Sequence, residues 1–359
     1  MQDLWQFYLL IMLIFVQGKL LENFGKRGKL VFIGLCFVEL SFLAGFRDWS
    51  IGNDTHNYIN VFILSGDYPQ LLGSHMEWGY LLYNQFLAFF TSNPQILLIV
   101  TAIFITGSWL YTFYKYSVAL TFSTLLFIIL EYSTTLSMLR QEMAVCVILL
   151  AVPFIIRRQF LFFLLAVWLA STVHSSAFLA LGLYFLYSLP FKKKYVIWVL
   201  VAALLTFFFL APILEKVIPM FGRYGGYVGT RLLGEPKVAS IIKTIIQFAI
   251  VGFLLFSDKY IVPRTHNVKS LLPTSFLLWC SVIAFCLQFI SIRGTVLERL
   301  VIYFYSFNFI SIPYFVHCYP KKMRALVALG LLGCFVLYKS IVFIYRPEWN
   351  YVLPFKFCF

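Results

Sequence analysis

Thirteen apolar runs follow one another along the chain, near 4–17, 30–46, 78–92, 95–114, 117–132, 136–156, 159–172, 175–189, 195–217, 238–257, 270–291, 299–316 and 325–345. A bilayer core of about 30 Å takes about 20 helical residues per crossing, and runs of this length have no place on a water-facing surface. They are continuous rather than alternating, which excludes a membrane β-barrel, whose strands switch between lipid and lumen at every residue. Composition closes off a soluble chain. With 62% hydrophobic and 12% charged residues, there is too little charge to cover a water-soluble fold of 359 residues. A cytosolic enzyme, a secreted disulfide scaffold and a DNA-binding domain are thereby excluded. The expectation is an all-α, polytopic transmembrane helical bundle of about eleven to thirteen helical segments. It forms a single integral membrane domain over 1–359, with no internal repeat and no soluble domain. Residues 4–17 lack a basic segment before them and a small-residue cleavage site after them, so no cleavable signal peptide is expected.

The net charge of +14 is read in this light as a topology signal, not as a nucleic-acid footprint. Short loops rich in Lys and Arg stay in the cytoplasm. They comprise Lys19, Lys26, Arg27 and Lys29; Arg157 and Arg158; Lys192, Lys193 and Lys194; Lys259, Arg264 and Lys269; and Lys321, Lys322 and Arg324. Residues 47–77, 218–237, 292–298 and 346–359 then lie outside, and His174 sits at the outer tip of a hairpin of two short helices. One stretch breaks the count. From the outer loop 47–77 to the inner Arg157 the crossings must be odd in number, yet four apolar segments intervene. One of 78–92, 95–114 or 117–132 is therefore re-entrant or interfacial. The first is the shortest, about 22 Å by helical rise.

Lysine obeys the inside rule and arginine does not. Of 12 Arg, seven fall at the expected outer face: Arg47, Arg140, Arg223, Arg231, Arg293, Arg299 and Arg346. Charges near membrane depth are costly and need a compensating anion. Asp48, Asp54, Asp67, Glu77, Glu131 and Glu298 could neutralise some as structural pairs. The sharper reading is a polyanion site, since guanidinium binds phosphate bidentately where Lys is a point charge.

The outer loops carry the remaining polar signals. Residues 47–58 contain a Gly52-Asn53-Asp54-Thr55 turn, in which Asp54 or Thr55 could cap a short helix bearing Tyr58. The second loop, 218–237, runs Gly222-Arg223-Tyr224-Gly225-Gly226-Tyr227-Val228-Gly229-Thr230-Arg231. Its glycines permit close backbone approach to a ligand, its Arg offer phosphate contacts and its Tyr sugar contacts. His174, flanked by hydroxyls, is either a helix-end hydrogen bonder or a site residue. The other four His read as ordinary loop residues. The seven Cys, set singly in apolar runs, read as small core residues.

Three stretches together are similar to a known family. The first is Gly45-Phe46-Arg47 with Gly52, Asp54 and Tyr58, followed by Glu77-Trp78-Gly79-Tyr80. The second is Met138-Leu139-Arg140-Gln141-Glu142-Met143-Ala144, then Leu169-Ala170-Ser171 and His174-Ser175-Ser176-Ala177. The third is Arg223-Tyr224 and Glu298-Arg299. In kind and order, over roughly 30–315, these resemble the EpsG-like group of Wzy-type oligosaccharide repeat-unit polymerases. The family usually has Ile or Phe where Leu139 precedes Arg-Gln here. The resemblance implies a GT-C-like helical fold in the bacterial inner membrane, with the active site facing the periplasm or cell exterior. It also implies two undecaprenyl-diphosphate-linked oligosaccharides, one donor and one acceptor, and lipid diphosphate as leaving group. Neither a nucleotide sugar, a metal nor another cofactor is implied. A chain-length regulator protein is the partner such an enzyme would take. The residues agree in offering no P-loop and no D-x-D.

Such chemistry needs cations for the departing diphosphate. Arg140, Arg223 and Arg299 are the candidates, with Arg47 and Arg231 in support. It needs a base for the acceptor hydroxyl, for which Asp54 is favoured over Glu77 and His174. Tyr58, Tyr224 and Tyr227 are the candidate sugar contacts. A lipid-linked oligosaccharide flippase is the main alternative. It would spread its cations through the membrane depth, whereas here they gather at one face. A membrane O-acyltransferase would want intramembrane His, which only His174 approaches.

Overall fold

The computed structural model describes residues 4–67, 76–217, 238–260, 270–294 and 297–359. Helices dominate and no strand is present among the described residues. In chain order they are α1 (Leu4–Leu21), α2 (Gly25–Gly45), α3 (Thr55–Asp67), α4 (Trp78–Ala88), α5 (Gln95–Tyr116), α6 (Leu120–Leu130), α7 (Tyr132–Ser137), α8 (Leu139–Leu150) and α9 (Val152–Ile156). There follow α10 (Phe160–Val173), a 3₁₀ turn (Ser175–Ala180), α11 (Leu181–Leu186), α12 (Lys193–Val217), α13 (Val238–Tyr260), α14 (Thr274–Ser291), α15 (Glu298–Tyr305), α16 (Asn308–His317) and α17 (Lys321–Tyr345).

This is the expected polytopic helical membrane protein, with a finer grain than the apolar runs suggest. Among the described residues seven runs are each long and apolar enough to cross a bilayer: α1, α2, α5, α8 with α9, α13, α14 and α17. Helices α15 and α16, bent by 40°, make an eighth. Other apolar runs break up. The run 117–132 becomes α6 and then α7, and 175–189 begins as the 3₁₀ turn before α11. Where α8 gives way to α9, Pro153 lies at the start of the new helix, because proline has no N–H to continue the old ladder. Helices α8–α9, α5 and α14 form the centre, with 67%, 61% and 61% of their membrane windows buried, whereas α1 and α17 form the rim at 17% and 22%. Trp109 of α5, Phe127 of α6 and Phe309 of α16 pack together in that centre, Trp109 lying 5.0 Å from Phe127 and 5.4 Å from Phe309 between ring centroids.

Contacts distinguish the two ends of the bundle. At the basic end Lys19, Lys29, Lys321 and Arg324 border one cavity together with Leu120, the first residue of α6. Arg158 donates to the Tyr184 carbonyl at 2.9 Å, which brings the base of the α10–α11 hairpin together. At the other end the tail folds back over the start of the 47–77 loop. The Asp48 N–H donates to the Lys356 carbonyl at 2.9 Å and the Gly52 N–H to the Tyr351 carbonyl at 3.0 Å. Gly52 has φ +91°, a conformation that glycine adopts without cost, and this lets the loop turn beneath Leu136.

The parity problem resolves at α4. Its leading residue Glu77 lies beside Ser175 at the hairpin tip, with the Ser175 N–H donating to Oε1 at 3.3 Å. Its trailing turn leads back to Gln95, whose amide donates to the Gly45 carbonyl at 2.7 Å. Both ends of α4 therefore lie at the end opposite the basic loops. Segment 78–92 does not cross, and at 11 residues α4 is about 16 Å long, too short to do so.

Arg47 is a correction to the sequence reading. Its side chain is fully buried and donates to the carbonyls of Ala44 and, at 3.1 Å, Leu136. These are carbonyls near the C-terminal ends of α2 and α7, where a cation satisfies orphan acceptors. Burial draws its pKa down to about 10, so it remains charged at neutral pH. Arg47 is a joint between helices, walled off from any ligand. Five cysteines are buried, as expected; Cys334 and Cys358 are exposed.

Candidate functional site

Four stretches converge at the end opposite the basic loops: the start of α4, the start of α8, the tip of the α10–α11 hairpin and the start of α15. Arg140, in the first turn of α8, donates to Glu77 at 2.5 Å. The two side chains are 18% and 13% exposed, so the pair is largely withdrawn from solvent. The Arg140 guanidinium also lies 5.6 Å from the Tyr80 ring centroid, and its Nε is buried without a partner. Burial alone would raise the Glu77 carboxyl. The Arg140 cation and the backbone N–H of Ser175 outweigh it and hold the group below the ordinary carboxylate value.

A second chain of contacts positions His174. Its Nδ1 lies 2.6 Å from Ser176 Oγ, and Ser176 Oγ lies 3.0 Å from the Tyr303 hydroxyl of α15. Nε2 has no protein partner among the described residues. Burial lowers the imidazole pKa, Glu77 opposes this, and Arg140 and Arg299 lower it further, to about 4. The ring is neutral at pH 7, with one nitrogen anchored and the other available to a ligand.

Two helix N-termini complete the site. Helix α8 starts without a side-chain cap, and α15 starts with Glu298-Arg299. Gln141 ties them, its amide donating to the Arg299 carbonyl at 2.5 Å. Unsatisfied N–H groups and the positive end of the dipole favour an anion there. Arg299 is exposed and has no ion-pair partner among the described residues. Its neighbour Glu298 is occupied elsewhere, accepting from Ser240 at 2.5 Å and Lys243 at 2.8 Å.

Asp54 and Tyr58 border the same site. Tyr58 is buried, in edge contact with Tyr80 at 6.0 Å. Burial and the Asp54 charge push its phenol up to about 12, against the pull of Arg140 and Arg299. Tyr58 thus sits behind Arg140 and supports it; the sugar-contact role expected for it would require an exposed ring. Asp54 stands just before α3, but its carboxylate makes no capping bond. Only its carbonyl is used, accepting the Tyr58 N–H at 3.0 Å. Thr55 instead donates to the Ile51 carbonyl at 2.6 Å. Arg223, Tyr224, Tyr227 and Arg231, with the rest of the 218–237 loop, lie outside the described residues.

An eye for arginines alone misses Gln141, Ser176, Tyr303 and Lys243. Lys243 lies in α13 and pairs with Glu298; a lysine inside an apolar run was the available signal. Gln141 and Ser176 stood in the sequence only as parts of the family-like stretches and Tyr303 not at all; their partners show what they do.

A family model, EpsG family, matches residues 30–357. The chain belongs to the EpsG family. EpsG is a Wzy-like polymerase family, and the family suggests a polysaccharide polymerase of the Wzy type. In this EpsG-family chain the match covers every described residue of the cluster, from Asp54 to Tyr303. No curated protein and no solved structure matches the chain.

Proposed function

We propose that the chain is a glycosyltransferase that joins undecaprenyl-diphosphate-linked oligosaccharide repeat units into a surface polysaccharide at the outer face of the inner membrane. The observation that carries this reading is the meeting of Arg140, Arg299 and two helix N-termini with a neutral, anchored His174. In this reading the two cations would meet the departing diphosphate, and His174 beside them would accept a proton. The basic loops lie at the opposite end, which by the inside rule is cytoplasmic, so the site opens outward.

In this reading the glycosidic bond to the donor diphosphate breaks as the acceptor hydroxyl oxygen bonds to the anomeric carbon. The released lipid diphosphate gathers its negative charge against Arg140 and Arg299. That is electrostatic stabilisation by preorganised groups. The hydroxyl proton passes to His174 Nε2, while Ser176 and Tyr303 hold the ring through Nδ1. A base oriented by a further hydrogen-bonded group is the recurring design of such sites. Glu77, held ionised by Arg140, sets that guanidinium in place and is a poor base. Asp54 offers a second reading, because its carboxylate has no hydrogen-bond partner among the described residues.

Deletion of the gene in its host should reduce the glycan to single repeat units, with complementation restoring long chains on a gel ladder. His174→Ala should fail to complement at normal protein level, with a loss of about 10²–10⁴-fold in polymer formation. Because neutral His174 is the active form, wild-type activity should stay level from pH 8 down to pH 6 and fall only as pH approaches about 4. Full complementation by His174→Ala beside loss in Asp54→Asn would move the base to Asp54. A null strain that accumulates no lipid-linked single units and keeps its long chains would sink the polymerase reading.

A further inference from the structure

We propose that a pocket at the basic end of the bundle holds the phosphate-bearing headgroup of an anionic membrane phospholipid. The pocket is a cavity of about 430 Å³ among α1, α2, α6, α16 and α17. Lys19, Lys29, Lys321, Arg324 and His317 line it, and the carboxylate beside them, Glu22, lies 3.4 Å from Lys19 and is spent on it. The cations therefore exceed the anions by a wide margin. Arg324 is fixed in advance: one terminal nitrogen donates to the Tyr319 carbonyl at 3.3 Å and the other lies 3.2 Å from the His317 ring.

Helix α17 begins at the same place, behind Pro320 and without a side-chain cap. The N–H groups of Met323 and Arg324 bond to the Pro320 carbonyl, each at 2.9 Å, so those of Lys321 and Lys322 remain for a ligand, backed by the positive end of a 25-residue helix. A site of this kind accepts phosphate oxygens.

The opposite wall decides between a free phosphate and a lipid. Phe32, Phe122, Pro313 and Ala328 make it apolar, and a free anion would gain nothing there. An amphiphile satisfies both walls, with its phosphate on the cations and the first carbons of its chain on the aromatics. Access favours the same source. The pocket lies between α1 and α17, the two least buried of the seven runs long and apolar enough to cross a bilayer, so it is reachable sideways from the bilayer. Basic pockets between helix ends are a recurrent seat for anionic headgroups. This site is at the far end from His174 and does not depend on the polymerase reading.

Native mass spectrometry of the delipidated full-length protein, titrated with phosphatidylglycerol, phosphatidylcholine or inorganic phosphate, tests it. Phosphatidylglycerol should bind and phosphatidylcholine should not. The double variant Lys321→Gln, Arg324→Gln should bind phosphatidylglycerol about 30-fold more weakly, taking roughly fivefold per cation. Ala328→Phe keeps every charge and narrows the apolar wall, and it too should weaken phosphatidylglycerol, which keeps the test open if the double variant fails to fold. Equal binding of the two lipids, or phosphatidylglycerol binding unchanged in Ala328→Phe, would overturn the proposal. So would displacement of phosphatidylglycerol by an equal concentration of inorganic phosphate, which would mark a free-anion site.

Discussion

Arg140 holds four relations at once: the Glu77 carboxylate at 2.5 Å, the Tyr80 ring at 5.6 Å, electrostatic contact with Tyr58, and influence on His174. Its guanidinium can pair with Glu77 through one edge and still present another to phosphate, which an ammonium cannot do. Arg140→Lys keeps the charge opposite Glu77, so protein level and thermal stability should change little. Loss of a preorganised charge donor should cost about 10²–10³-fold in polymer formation. Arg299→Lys, at an exposed position, should cost less. Glycan ladders against immunoblotted protein level check both, and full activity in Arg140→Lys would reduce it to a structural partner of Glu77. Arg47 teaches the opposite lesson. It has the same residue type at the same end, but it is fully buried and its terminal nitrogens face the Ala44 and Leu136 carbonyls, so it offers no exposed surface to a substrate.

Among the elements, α4 matters most, because it carries Glu77 without crossing the membrane. It lies against α10 through Gly79, where an added Cβ would come 2.8 Å from the Thr172 carbonyl oxygen. That carbonyl belongs to the helix turn just before His174. Gly79 thus sets the separation between the segment bearing Glu77 and the tip bearing His174. Gly79→Ala should force α4 outward, at an overpacking cost of about 1–3 kcal/mol, and move Glu77 away from Arg140. The expected outcome is a fall in polymer formation well beyond the fall in folded protein, read as ladder intensity per unit of monodisperse protein. Wild-type activity in Gly79→Ala would mean that α4 is free to shift without consequence. The same element corrects the simple picture of apolar runs: a run such as 78–92 can be an interfacial helix that buries one side on α3 and α10.

The whole molecule has two ends with different chemistry. The basic end gathers lysines, and the opposite end gathers paired and unpaired arginines, with the tail folded over the start of the 47–77 loop. Single cysteines introduced into a background with Cys334→Ser and Cys358→Ser, the two exposed native thiols, report this directly. Asn53→Cys and Asn93→Cys should react with an impermeant maleimide from outside intact cells, and Lys193→Cys and Lys322→Cys only after permeabilisation. All four positions are exposed. Asn93 is the discriminating one, since a crossing α4 would place it with the lysines. Labelling of Lys193→Cys from outside would invert the orientation and with it the outward-facing site.

The class of the protein, its multiple crossings, its two chemically distinct ends and its family resemblance were legible in the chain of residues. Apolar length and the partition of Lys between loops are local quantities, and each segment reports its own. Even the residues of the proposed site, Glu77, Arg140, His174 and Arg299, stood out as charged or polar groups where a membrane helix does not tolerate them. Tertiary structure decided which of those groups meet. Glu77 and Arg140 are 63 residues apart, Ser176 and Tyr303 are 127, and Gln141 and Arg299 are 158. No local property encodes contacts at such separations. They follow from how α4, α8, the hairpin tip and α15 pack, and that packing is set by the summed fit of side chains along whole helices. It also withdrew Arg47 and Tyr58 from the surface of the site, because a buried guanidinium must find carbonyls and a buried ring must find other rings.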